Sequence, residues 1–104
     1  MNLLTSKENL ITLYLTYSVL LTETQAKYFH AHYFLDYSLA EIAENEGVSK
    51  NAVFLSLKQT ERKLIDFETK LKLVKKTENL RKKIKAVAEK YQIPLKEFED
   101  IEGV

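Results

Sequence analysis

The chain has 104 residues, no cysteine, two glycines and one proline, with 45% hydrophobic and 30% charged positions. That length fits one domain with a modest core, and the composition excludes disulfides, thiolate metal sites and any turn-rich β architecture. The net charge is only +1, but it is segregated: residues 1–47 carry two cations against six acids, residues 48–90 thirteen against five, and the tail from Tyr91 one against four. A partner therefore meets a basic end and an acidic end, not a neutral molecule.

Ser6 reads as the cap of a first helix in which Leu10, Leu13, Tyr14, Tyr17, Leu20 and Leu21 form a buried stripe. Ile11, Leu15 and Val19 form a second stripe about a third of a turn away. Two readings account for it: a central helix packed on both sides, or a contact between two copies of the chain. Thr22 with Gln25 forms a capping box for a second helix over about residues 23–35, with Ala26, Phe29 and Tyr33 inward. Tyr28, Phe34, Leu35 and Tyr37 make this stretch rich in aromatic side chains before Asp36 and Tyr37 turn the chain.

Ser38 with Glu41 forms another capping box, opening a short third helix through Leu39, Ile42 and Ala43 that ends at Gly47. Val48 is expected to plug the turn, and Ser49 to cap a fourth helix. Two short helices joined by a tight turn are the helix-turn-helix pattern, which lays its second helix in the major groove of DNA. From Val53 the inward positions step by four and three through Leu57, Thr60, Leu64, Phe67, Leu71 and Val74, longer than that motif needs. The phase then slips before Leu80, Ile84, Val87 and Tyr91. The slip reads either as a break near Lys76 and Thr77, with Thr77 a new cap, or as a stutter in a continuous helix. Ile93-Pro94 ends this helix, and "PLKEFEDI" suits a last short helical turn.

The order of capped helices, with "LLTETQ" at 20–25, "YSLAEIA" at 37–43, "VSKNAV" at 48–53 and "TERKLIDFETKL" at 60–71, resembles the YlxM family of small bacterial proteins. The resemblance runs from Tyr17 to about residue 73 and is general beyond residue 74. It implies an all-α fold whose helix-turn-helix is similar to region four of bacterial sigma factors. It also implies a place in, or regulation of, the signal recognition particle pathway, and homodimers. On this reading residues 1–73 form the core, including the long fourth helix, and residues 74–104 are a charged helical extension of the same domain.

Two sets of residues are candidates for nucleic-acid binding. On the outer face of the fourth helix stand Lys50, Asn51, Phe54, Leu55, Lys58 and Arg62. Asn51 suits adenine, and the three cations suit phosphates or guanine edges. Phe54 and Leu55, however, offer no donor or acceptor where a reader places its hydrogen bonds, and the third helix brings Glu41, Glu44 and Glu46 towards phosphates. The second set lies in residues 70–85, where Lys70, Lys72, Lys75, Lys76, Arg81, Lys82, Lys83 and Lys85 face one acid, Glu78. Such a run meets phosphate through charge, and a structured RNA suits it better than an operator, because shape and backbone recognition need no ordered set of base-reading side chains.

Catalysis finds little support. His30 and His32 are two apart on a helix and point to different sides, the remaining acids suit ordinary helix pairs with lysines, and neither a phosphate loop nor a nucleophile motif is present. The expectation is a cytoplasmic, non-enzymatic homodimer without metal or cofactor and without a segment inserted in a membrane. Its partner is the particle's RNA or protein, bound through Lys75, Lys76, Arg81, Lys82, Lys83 and Lys85. DNA bound through Lys50, Asn51, Phe54, Lys58 and Arg62 is the alternative.

Overall fold

The computed structural model describes residues 6–94 and residue 96; the short turn expected over 94–101 otherwise lies outside them. Among the described residues every regular element is helical: α1 (Lys7–Tyr17), a 3-10 turn (Ser18–Leu20), α2 (Glu23–Tyr33), α3 (Leu39–Glu46), α4 (Lys50–Leu71) and α5 (Leu73–Tyr91). The fold is all-α, as the scarcity of turn residues and the periodicity imply. It divides into two compact units, residues 1–71 and 72–104.

In the first unit the local signals form as expected. The Ser6 hydroxyl accepts from the Asn9 N–H at 3.3 Å, and the Ser49 hydroxyl from the Ala52 N–H at 3.0 Å. Thr22 with Gln25, and Ser38 with Glu41, both make reciprocal capping boxes. Gly47 adopts the left-handed conformation (φ 67°), and the Val48 N–H reaches back to the Ala43 carbonyl at 3.1 Å, so the chain reverses within three residues. Val48 does not plug that turn: it is exposed, because the backbone bonds close the turn without its side chain.

α4 is the helix on which α1, α2 and α3 all pack. Its inward side chains Val53, Leu57, Thr60 and Leu64 are buried, against Leu10, Leu13, Tyr17, Phe29 and Ile42 from the other three helices. Each such apolar side chain contributes roughly 1.5–3 kcal/mol on burial. Thr60 is tolerated at the centre because its hydroxyl donates to the Ser56 carbonyl at 2.8 Å within its own helix. An aromatic stack adds geometry to the burial, with Tyr14 on Phe29 at 4.7 Å and Phe29 on Tyr33 at 4.3 Å between centroids.

Three expectations need correction here. The inward seam of α4 fades after Leu64: Phe67 is half-buried and Leu71 exposed, because Tyr17 and its neighbours reach no further along the helix. α1 is not packed on both sides, since α4 takes the central place, and Leu15 and Val19 of the second stripe are 68% and 88% exposed. The same holds for Leu20, which leaves the buried stripe because the 3-10 turn rotates it outward.

The break between the long helices is at Lys72, not near Lys76 and Thr77. Lys72 is left-handed (φ 54°), and its carbonyl accepts from the Lys76 N–H at 2.9 Å to start α5, which runs unbroken through Thr77. α5 stops at Gln92, also left-handed (φ 56°), with the Ile93 N–H bonded to the Ala88 carbonyl at 2.8 Å just ahead of Pro94. Its apolar positions Leu73, Leu80, Ile84, Val87 and Tyr91 share one side of the helix.

Candidate nucleic-acid interface

The helix-turn-helix is built by α3, the Gly47 turn and the first three turns of α4. Val53 and Leu57 face the core, so Lys50, Asn51, Phe54, Leu55, Lys58 and Arg62 are all presented to solvent. Lys50, Asn51 and Phe54 meet Leu39 of α3 around one hollow of about 350 Å3, while Lys58 and Arg62 line a second with Leu55 and Gln59. Lys58 is already engaged: its ammonium lies 5.7 Å from the centre of the Phe54 ring and 3.5 Å from the Glu61 carboxylate. Phe54 and Leu55, 42% and 57% exposed, form an apolar centre in the outer face, which weakens it as a hydrogen-bonding reader.

The acids of α3 are partly used in the fold. Glu41 closes the Ser38 capping box, its Oε1 accepting from the Ser38 N–H at 3.1 Å. Glu46 pairs with Lys27 of α2 at 2.9 Å, and that hydrogen bond holds the Lys27 ammonium above its usual range. Glu44 is exposed. The surface of the motif therefore offers Lys50, Lys58 and Arg62 beside Glu41, Glu44 and Glu61, with Glu46 paired to Lys27, a mixture of the two signs.

Three polar links that the sequence does not announce fix α4 to α1 and α2. The Tyr17 hydroxyl donates to Glu68 at 2.7 Å, the Tyr33 hydroxyl to Glu61 at 3.1 Å, and the Lys63 ammonium to Gln25 at 3.3 Å. Glu61 and Glu68 thus do more than pair with neighbouring lysines: they are seven apart, share an edge of α4, and each receives a tyrosine from another helix. That heptad spacing of acids opposite tyrosines is the only sequence signal for them. Burial, and then the charge and hydrogen bond of Glu61, push the Tyr33 phenol up to about 12.

A cleft of about 380 Å3 between α1, α2 and α3 is lined by Tyr14, Tyr28, Leu35, Tyr37 and Ile42, with the Lys27 and Glu46 pair at its rim. His30 stacks on Phe34 at 5.1 Å between ring centres, and His32 Nδ1 lies 2.8 Å from the Tyr37 carbonyl, so the two histidines serve separate neighbours. Among the described residues no group of three or more histidines and acids could hold a metal, and no helix is long and apolar enough to cross a membrane.

In the second unit α5 carries Lys75, Lys76, Arg81, Lys82, Lys83 and Lys85, all exposed. At roughly 100° per residue these do not form one face. Lys75, Lys82 and Lys85 lie opposite the apolar side, Lys76 and Lys83 form one edge with Lys90, and Arg81 stands on the other edge.

A family model described as "Putative helix-turn-helix protein, YlxM / p13 like" matches residues 4–104. The chain belongs to this family. The match extends beyond the resemblance at 17–73 and takes in the basic helix and the C-terminus. A relative from Streptococcus gordonii, named only as a UPF0122 protein, is 44% identical over 75 residues, covering 72% of this chain and 68% of its own length. Relatives of the same name from Streptococcus pneumoniae, among them strains Hungary19A-6 and CGSP14, are 53% identical over 55 residues, 53% of this chain and 50% of theirs. The matched span is thus about half the length of the pneumococcal relatives.

Proposed function

We propose that this protein is a non-enzymatic accessory or regulatory component of the signal recognition particle pathway, acting in the cytoplasm by binding the particle's RNA through α5. The pathway comes from the family resemblance, and the chemistry from the charge. The observation that carries the reading is the separation of the two surfaces. Residues 70–85 hold eight cations against one acid, while the helix-turn-helix mixes cations with acids around an exposed Phe54 and Leu55. A duplex or folded RNA is recognised through its phosphates and shape, which a lysine-rich helix supplies and an apolar patch does not. Contact with the particle's protein component is the other form of the same role.

The protein is further proposed to act as a homodimer. Leu15 of α1 and Val19 of the 3-10 turn that follows it form an exposed apolar strip, and a second copy burying it would account for both. Sedimentation of the wild type is expected to give a dimer, and Leu15→Glu with Val19→Glu a folded monomer; a dimer unchanged by both substitutions would remove α1 from the interface.

The helix-turn-helix geometry favours a second reading, a DNA-binding regulator. The left-handed Gly47, the Ser49 cap and the outward line of Asn51, Leu55, Lys58 and Arg62 are what a groove-binding helix needs. The two readings separate in one titration of the purified protein against the particle's RNA, its protein component and duplex DNA of random sequence at two salt concentrations. Tighter binding to the RNA, weakened by Lys82→Glu with Lys83→Glu, supports the first. Binding to duplex with a sequence preference that Asn51→Ala alters would establish the second in its place.

A further inference from the structure

We infer that the cleft between α1, α2 and α3 binds a small neutral aromatic molecule, one or two rings in size and bearing a hydrogen-bonding group. Its walls come from separate elements: Tyr14 from α1, Tyr28 and Ala31 from α2, Leu35 and Tyr37 from the turn that follows, and Ile42 from α3. The fold holds these walls before any ligand arrives. Tyr14 lies on Phe29 at 4.7 Å between centroids, and its hydroxyl donates to the Ala26 carbonyl at 3.3 Å. On the other side the Tyr37 N–H donates to the Ala31 carbonyl at 3.0 Å, and Ile42 is buried against the core.

Tyr28 is the polar group that these contacts leave over. It is only 8% exposed, yet its hydroxyl makes no hydrogen bond to the described residues and is not sealed off. A buried phenol ordinarily finds a partner, and the cleft that Tyr28 lines is where a ligand can supply one, as donor or as acceptor. Charge then decides the class of ligand. The Lys27 ammonium and the Glu46 carboxylate at the rim are 2.9 Å apart and satisfy each other, so a charged molecule gives up hydration without meeting an uncompensated opposite charge. A neutral one avoids that cost. The rings of Tyr14, Tyr28 and Tyr37 favour a flat aromatic surface over an alkyl chain, through stacked or edge contacts. At about 380 Å3 the cleft is at the small end of ligand pockets, which limits the occupant to one or two rings. An unpaired base of a nucleic acid has similar rings, but residues 1–47 carry six acids against two cations, a surface that its phosphates meet unfavourably. The occupant is therefore a free molecule, and the inference does not rest on RNA binding.

The test uses the isotope-labelled full chain with indole, with indene as its isostere lacking the N–H, and with benzamide, benzoate and benzamidine as one shape in three charge states. Indole is expected to move the amide signals of residues 26–31, 35–37 and 42–46 and to saturate with a dissociation constant of about 1 mM or below. Tyr28→Phe is expected to weaken indole about three- to tenfold and to leave indene unchanged, a difference that a merely structural hydroxyl would not produce. Ala31→Leu, which fills the cleft from its wall, is expected to weaken both about tenfold or more; should it not fold, Tyr28→Phe still decides. Benzamide is expected to bind more tightly than benzoate and benzamidine. Shifts that do not saturate, or that centre on other residues, would overturn the inference, as would Tyr28→Phe binding indole as well as the wild type. Tighter binding of either charged probe would overturn the neutral class, and displacement of indole by the particle's RNA would give the cleft to a nucleotide base instead.

Discussion

Reversing two charges on α5 should change how RNA binding responds to salt, by an amount the helix geometry sets. Lys75, Lys82 and Lys85 share the side opposite the apolar seam, and Lys83 borders it, so about four cations can reach one phosphate backbone at once. Each phosphate neutralised adds about −0.9 to the slope of log affinity against log salt on a duplex, giving a slope of about −3.6. A rise from about 50 to about 200 mM salt then weakens the wild type roughly 150-fold. Lys82→Glu with Lys83→Glu removes two of the four contacts, halves the slope to about −1.8 and leaves a loss of roughly 12-fold, from a weaker starting affinity. Both positions are exposed and mid-helix, and glutamate is as good a helix former as lysine, so circular dichroism should not change. Fluorescence anisotropy with labelled RNA at several salt concentrations measures the slopes. An unchanged slope in the double variant, with a halved slope in Lys50→Glu with Arg62→Glu, would refute the assignment of the phosphate contacts to α5.

Leu64 is fully buried where α4 crosses the core, so Leu64→Ala is expected to cost about 2–5 kcal/mol in urea unfolding, while Leu55→Ala, at a position 57% exposed, should stay within about 0.5 kcal/mol. Gly47→Ala meets no atom within 4 Å, so its cost of about 1 kcal/mol is that of the left-handed backbone alone; Lys72→Gly relieves the same strain and is expected to stabilise slightly. The Tyr33 phenol ionises near 12 in the fold against about 10 in an unfolded chain, so it contributes stability that is complete below pH 10 and declines as the pH rises towards 12. Tyr33→Phe should remove a phenolate forming near pH 12 from the absorbance titration at 295 nm; loss of one forming near pH 10 would show that burial and Glu61 do not act on it.

The capping boxes at Thr22 and Ser38, the Gly47 stop and the Ser49 cap were legible in the sequence because each is a bond between residues three or four apart. The inward row from Val53 to Leu64 was legible for the same reason, as one repeating step on one helix. What escaped depended on distant partners or on rare backbone. A lysine in the left-handed region has no residue-type signal of the kind glycine or asparagine provides, so the break at Lys72 was displaced by several residues. Glu61 and Glu68 resembled solvent-facing acids until Tyr33 and Tyr17, 28 and 51 residues away, were brought to them. The cleft beside Tyr14 and Tyr37 joins three helices, and no single one shows it. Of the candidate site, the two groups of cations were visible as charge, but their division into rows around α5 needed the helix to run unbroken from 73 to 91.

The central claim is that polyanion contact has moved from the recognition helix to the later basic helix. Backbone amide shifts of the isotope-labelled protein, titrated with the RNA of the particle, measure this directly. The account predicts shifts concentrated in 75–85 with 50–62 nearly still; large shifts across 50–62, with 75–85 unmoved, would contradict it.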